Sequence, residues 1–198
     1  MRRGIISVVI FVAFVAIFTL SRHAITSTTT TTTTTTSKPP ATTTSTTSTT
    51  LAATTCSATD FSGVYNEGEG AAGTIYASVT LTKTTGGTCT LYGWPLLTLS
   101  DRLGAVLKSS DVDVPSAGND FQFSTARENA KPTTLTLSVN STTTFSLAYS
   151  DVPTGNTACE SAVTLSVQFV AGGAAVPVTP QYAVQPCDDG RLWVSPFY

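Results

Sequence analysis

Closely spaced carboxylates are the residues of this sequence whose type and spacing could carry a reaction: Glu67 with Glu69, Asp111 with Asp113, and Asp188 with Asp189. Two carboxylates flanking a bond can hydrolyse a glycoside, one as acid and the other as base or nucleophile. That chemistry would make the protein a carboxylate-dependent extracytoplasmic hydrolase, with Glu67 and Glu69 the pair to mutate. Alternate acidic residues such as Asp111 and Asp113 more often solvate an outer face or a turn, and that is the expectation here. Asp111, Asp113, Asn119 and Asp120 could also gather a calcium ion, but the glycine at loop position six and the closing Glu of an EF-hand are missing.

Gly68-Glu69-Gly70-Ala71-Ala72-Gly73 spells a dinucleotide fingerprint. That motif works only with a strand before it and a helix N-terminus after it to hold pyrophosphate. Here a strand pattern follows, and Glu69 sits inside the loop, so the glycines read as backbone turns. The single histidine, His23, precedes the first cysteine, which removes every Ser-His or Cys-His dyad and every histidine metal ligand from residues 56–198. Neither S-x-x-K nor G-x-S-x-G occurs. The expectation is a non-enzyme with no catalytic residues, no cofactor and no metal.

Cys56, Cys89, Cys159 and Cys187 lack C-x-x-C spacing, the nearest pair being 28 apart. Structural disulfides in an oxidising compartment follow, with three connectivities open. The N-terminus points the same way. Gly4 to Leu20 is a 17-residue uncharged run behind Arg2 and Arg3, just long enough to span a bilayer as a helix, with the basic pair on the cytoplasmic side. Residues 1–22 are therefore expected to form a transmembrane signal anchor. The alternative is a cleaved signal peptide and a secreted product, although the run exceeds a usual h-region and Ala24 to Thr26 is a poor cleavage site.

Residues 23–55 are a Thr/Ser-rich tract without the large apolar side chains that could bury a core, so a disordered stalk is expected. As a coil it would reach on the order of 30 Å, and fully extended on the order of 100 Å. The charges divide unevenly. Residues 1–55 hold four cations and no acid, whereas 56–198 hold six cations against all twelve acids, a net of −6. A domain of that sign repels phosphate backbones, so nucleic acid is not an expected partner.

Beyond Cys56 the periodicity is that of strands. Thr74 to Thr82 puts Ile75, Ala77, Val79 and Leu81 on one face and Thr, Tyr and Ser on the other. Further strands are expected over Thr88–Tyr92, Leu96–Ser100, Ala105–Lys108, Thr134–Val139, Thr144–Tyr149, Val163–Val170, Ala175–Val178 and Arg191–Ser195, separated by Gly, Asn and Pro turns. Helical spacing is absent. The class expected for 56–198 is all-β, an immunoglobulin-like antiparallel β-sandwich. Ser109 to Pro132 reads as a long polar surface loop with Phe121 and Phe123 as exposed aromatics.

Gly70-Ala71-Ala72-Gly73, a Thr-rich strand, Cys89-Thr90-Leu91-Tyr92-Gly93-Trp94-Pro95, then Leu99, Asp101 and Gly104 come in an order that resembles the actinobacterial domain of unknown function numbered 4232. Cys159, Cys187 and the final Leu192-Trp193-Val194-Ser195-Pro196 are similar to that family's second half. Trp94 stands where the family usually has Tyr, and the 109–132 segment is longer. The resemblance implies a secreted or membrane-anchored β domain and assigns no activity. The family's arrangement, and the way each pair brackets one half of the domain, favour Cys56 with Cys89 and Cys159 with Cys187.

The function expected is a non-catalytic surface module that binds an envelope glycan or protein, with a purely structural envelope subunit as a further alternative. Tyr92, Trp94 and Trp193 are the partner-binding candidates. Tyr92 and Trp94 flank Gly93 on one face, and Trp193 points opposite Leu192 and Val194. Aromatics of this kind either enter the core or form a partly exposed platform suited to sugars and protein hot spots.

Overall fold

The computed structural model describes residues 54–155 and 158–198. The expected membrane anchor and nearly all of the expected stalk lie outside the described residues. Among the described residues no helix is long and apolar enough to cross a membrane. The stalk expectation needs correction at its end, because Thr54–Thr55 form a short strand, β1. They pair in parallel with β5 (Cys89–Leu91), and Cys56 N–H donates to the Thr90 carbonyl.

The fold is all-β. One sheet runs in the order β2 (Phe61–Asn66), β4 (Thr74–Lys83), β9 (Thr142–Ser150), β12 (Arg191–Val194), β7 (Ser110–Asp113), with β3 (Gly70–Ala71) also paired to β4. A second sheet orders β11 (Ala175–Val178), β10 (Thr164–Gln168) and β6 (Leu96–Ser100). A third places β5 between β1 and β8 (Leu135–Leu137).

Alternation explains how these sheets close on one another. Ala77, Val79 and Leu81 of β4, Phe145 and Leu147 of β9, and Leu192 and Val194 of β12 project from one face into a single core. Leu97 and Leu99 of β6, Leu165 and Val167 of β10, and Val176 and Val178 of β11 meet them there, making a β-sandwich. An edge-to-face aromatic chain crosses it: Phe61 with Phe169 at 5.1 Å, Phe169 with Phe197 at 5.6 Å, and Phe197 with Phe145 at 5.9 Å. Phe197 enters the core because the chain continues past β12 beside β9, where Tyr198 N–H donates to the Thr144 carbonyl.

Several expectations are modified. The sandwich is not purely antiparallel, since β12 pairs in parallel with β7 and β5 with β1. Ala105–Lys108 is not a strand; Val106 makes a single bridge to Ser100. The 109–132 segment begins with β7, which sequence reasoning missed because Ser-Asp-Val-Asp offers one apolar side chain and its pairing partner lies about 80 residues away. The phosphate-loop look-alike is a hairpin turn. Ala72 and Gly73 take φ values of 51° and 82°, and Gly70 and Ala71 pair with Ile75 and Thr74.

The disulfides join Cys56 to Cys89 and Cys159 to Cys187, the pairing favoured by neighbourhood and resemblance. They place the domain in an oxidising, extracytoplasmic environment.

Candidate functional site

Tyr92, Gly93 and Trp94 follow β5 directly. Gly93 has φ 101°, which L side chains rarely adopt, and a Cβ there would meet nothing within 4 Å. The glycine is needed for its backbone and not for space. Its carbonyl accepts the Phe197 N–H at 3.1 Å. Trp94 donates its indole N–H to the Val114 carbonyl at 3.1 Å, while Tyr92 remains 61% exposed. Both aromatics line an open groove of about 470 Å³ with Pro115, Ser116, Ala117, Lys131 and Pro132.

The rest of the groove's lining is the two ends of the connection from β7 to β8, and it is the middle of that connection, residues 121–129, that stacking and hydrogen bonds hold. Phe121 stacks on Trp193 with ring centroids 4.5 Å apart and planes 11° apart, and stacks more loosely on Tyr76 at 6.1 Å. Phe123 lies edge-on to Phe121 at 5.2 Å and is buried with Val114 and Ala148. The Asn129 carboxamide accepts the Phe123 N–H at 2.8 Å and donates to the Phe123 and Thr125 carbonyls. Glu128 accepts from the Thr125 N–H and hydroxyl through one oxygen and from the Ser146 hydroxyl at 2.6 Å through the other. Arg127 lies over the Tyr198 ring, 4.8 Å from its centroid.

The loop expectation for 109–132 is thereby corrected in substance. Phe121 and Phe123 are not exposed; they cover the outer face of the larger sheet with a second, smaller core. Of the three aromatic candidates, the structure brings Tyr92 and Trp94 together at the groove. Trp193 is placed elsewhere, on the outer face beneath Phe121. Pro115, Lys131 and Pro132 were missed. A partial signal was available: a strand tryptophan opposite two buried residues needs cover, and Phe121-Gln122-Phe123 is the aromatic pair able to supply it.

The carboxylates take structural parts. One Glu67 oxygen accepts the backbone N–H groups of Gln181 and Tyr182 at 2.9 and 3.1 Å, which spends the first member of the hydrolase pair on a loop. Asp188 accepts the Thr154 hydroxyl, and Asp189 pairs with Lys108 at 3.1 Å. These residues border a cavity of about 480 Å³ beside the Cys159–Cys187 bridge.

Asp111 corrects the outer-face expectation most clearly. Its Oδ2 accepts the Leu97 N–H at 2.7 Å, linking the edge strand of the larger sheet to the edge of the other, and its Oδ1 is buried without a partner. Burial pushes its pKa up to about 6; the Leu97 hydrogen bond opposes the rise and the Asp113 charge adds to it. Burial also raises Asp113. Among the described residues no group of three or more His, Cys, Asp or Glu side chains could hold a metal ion.

Fold and surface together define a disulfide-bonded β-sandwich with the exposed Tyr92 and the half-buried Trp94 lining an open surface groove. The family model described as Domain of unknown function (DUF4232) matches residues 56–198, and the chain belongs to that family. No curated protein and no solved structure matches it.

Proposed function

We propose that this protein is a non-catalytic binding module of immunoglobulin-like architecture that engages an envelope glycan or protein through the Tyr92–Trp94 groove. The observation that carries the reading is Tyr92, a large aromatic left 61% exposed on a groove it lines with Trp94, whose indole N–H is held by the Val114 carbonyl. Exposed aromatics in preformed pockets are where binding energy concentrates, because little is lost in ordering them. The immunoglobulin-like reading rests on two sheets facing each other over one core.

Residues 1–22 supply a single membrane anchor and the Thr-rich tract a tether that presents the domain outside the membrane, a reading supported by the uncharged run, the basic pair before it and the oxidised cysteines. The net charge of −6 over 56–198 speaks against nucleic acid as the partner.

The test compares immobilised full-length chain with its Tyr92→Ala variant in retaining material from an envelope extract. Wild type is expected to hold a component that the variant releases. Equal retention by both, or none by either, refutes binding through this groove and leaves a structural envelope role.

A further inference from the structure

We infer that the occupant of the Tyr92–Trp94 groove is a proline-rich peptide segment in the polyproline II conformation that carries a carboxylate. This rests on the binding reading above and specifies its partner. The lining pairs aromatic faces, Tyr92 and Trp94, with pyrrolidine faces, Pro115 and Pro132. Hydrogen-bonding side chains are few: the Tyr92 and Ser116 hydroxyls and the Lys131 ammonium, since the Trp94 N–H is already donated to Val114.

That inventory suits a peptide better than a sugar. A glycan brings many hydroxyls, and each one desolvated without a partner costs about 1–3 kcal/mol. A polyproline II strand has no internal hydrogen bonds to break, presents flat rings to aromatic surfaces, and asks for only a donor or two for its carbonyls. Its stiffness keeps the ordering cost small on the ligand side, and on the protein side Trp94 is already held by its bond to the Val114 carbonyl while Pro115 and Pro132 bring rigid rings.

Charge supplies the carboxylate. Lys83 pairs with Asp60 at 3.3 Å and Lys108 with Asp189 at 3.1 Å, whereas Lys131 makes no ion pair among the described residues. An unpaired cation beside an apolar groove, on a domain of net charge −6, fits one acidic group on the ligand and disfavours a polyanion.

Calorimetric titration of the full-length chain tests this with three peptide probes of equal length, built from Pro-Pro-Glu, Pro-Pro-Lys and Gly-Ser-Glu repeats, together with a neutral oligosaccharide, chitohexaose. The Pro-Pro-Glu peptide is expected to bind roughly tenfold or more tightly than the others. Tyr92→Ala should weaken it by a similar factor, with the thermal midpoint unchanged because the side chain is exposed. Lys131→Glu should reverse the preference between the Glu and Lys peptides.

Equal binding of the Gly-Ser-Glu peptide would reduce the effect to charge. Binding of chitohexaose alone would make the site a glycan site, and indifference to Tyr92→Ala would move the site elsewhere; each of these overturns the inference, as does no binding at all. If Tyr92-dependent retention of envelope material persists while every peptide fails, the binding reading stands and only this inference falls.

Discussion

Replacing Asp111 by Asn should remove a specific pH dependence from the stability of the domain. In the folded protein burial raises the carboxyl to about 6, against an ordinary 3.8. Between those values the native state holds a proton that the unfolded chain has released, so stability falls as pH rises through this window and the contribution is lost above about pH 6. A separation of about 2 pH units at about 1.4 kcal/mol each corresponds to roughly 3 kcal/mol. The side chain is partly open to solvent, and screening brings the expected effect to about 1.5–3 kcal/mol.

The Asn oxygen can still accept the Leu97 N–H, whereas its NH₂ would occupy the position of the partnerless Oδ1, so the absolute stability of the variant shifts by a constant. The informative quantity is the change with pH. Urea unfolding of wild type and variant at intervals from pH 3.5 to 7.5 should show wild type losing about 1.5–3 kcal/mol relative to Asp111→Asn across the window. The other carboxylates cancel to first order in this difference. Curves that run parallel from pH 3.5 to 7.5 would refute the claim that Asp111 is a buried carboxyl bridging the two sheets.

Gly68→Ala should destabilise by about 3 kcal/mol or more in thermal melts, because its Cβ would fall 1.0 Å from the Tyr76 carbonyl oxygen; Gly87→Ala, with nothing within 4 Å, should stay within about 0.5 kcal/mol of wild type. Phe121→Ala should cost about 2–3 kcal/mol and shift tryptophan emission to the red, since Trp193 loses the ring stacked on it; unchanged emission would contradict the covered outer face. Removing the Cys56–Cys89 bridge, which spans 33 residues, should lower stability by about 3–4 kcal/mol, read from denaturant midpoints without any change in ligand specificity.

What the sequence determined by itself was whatever depends on one-sided burial along a single strand. Leu96–Ser100 and Ala175–Val178 are found with the bounds that alternation set, and Thr74–Thr82 is extended only to Lys83. Period-two burial is a local property, because successive side chains of a strand point to opposite faces whatever lies across the sheet. The all-β class and the oxidising environment were legible for similar reasons, from turn residues and cysteine spacing. The cysteine pairing rested on neighbourhood and family likeness.

The site was legible only in half. Tyr92 and Trp94 were visible as an aromatic pair about Gly93, but nothing near them in the chain announced Pro115, Lys131 or Pro132 on the groove. Those residues arrive because β7, polar and short, is held in parallel beside β12, and because Phe121 and Phe123 fold back over β9 and β12. The same tertiary step buries Ser146 and Ala148 on the outer side of β9, turns Asp111 from a surface acid into a link between sheets, and covers one face of the half-buried Trp193. Each outcome depends on partners brought together across long sequence separations. A local hydrophobic pattern reports which face of a strand is apolar, and it carries no record of what comes to lie upon it.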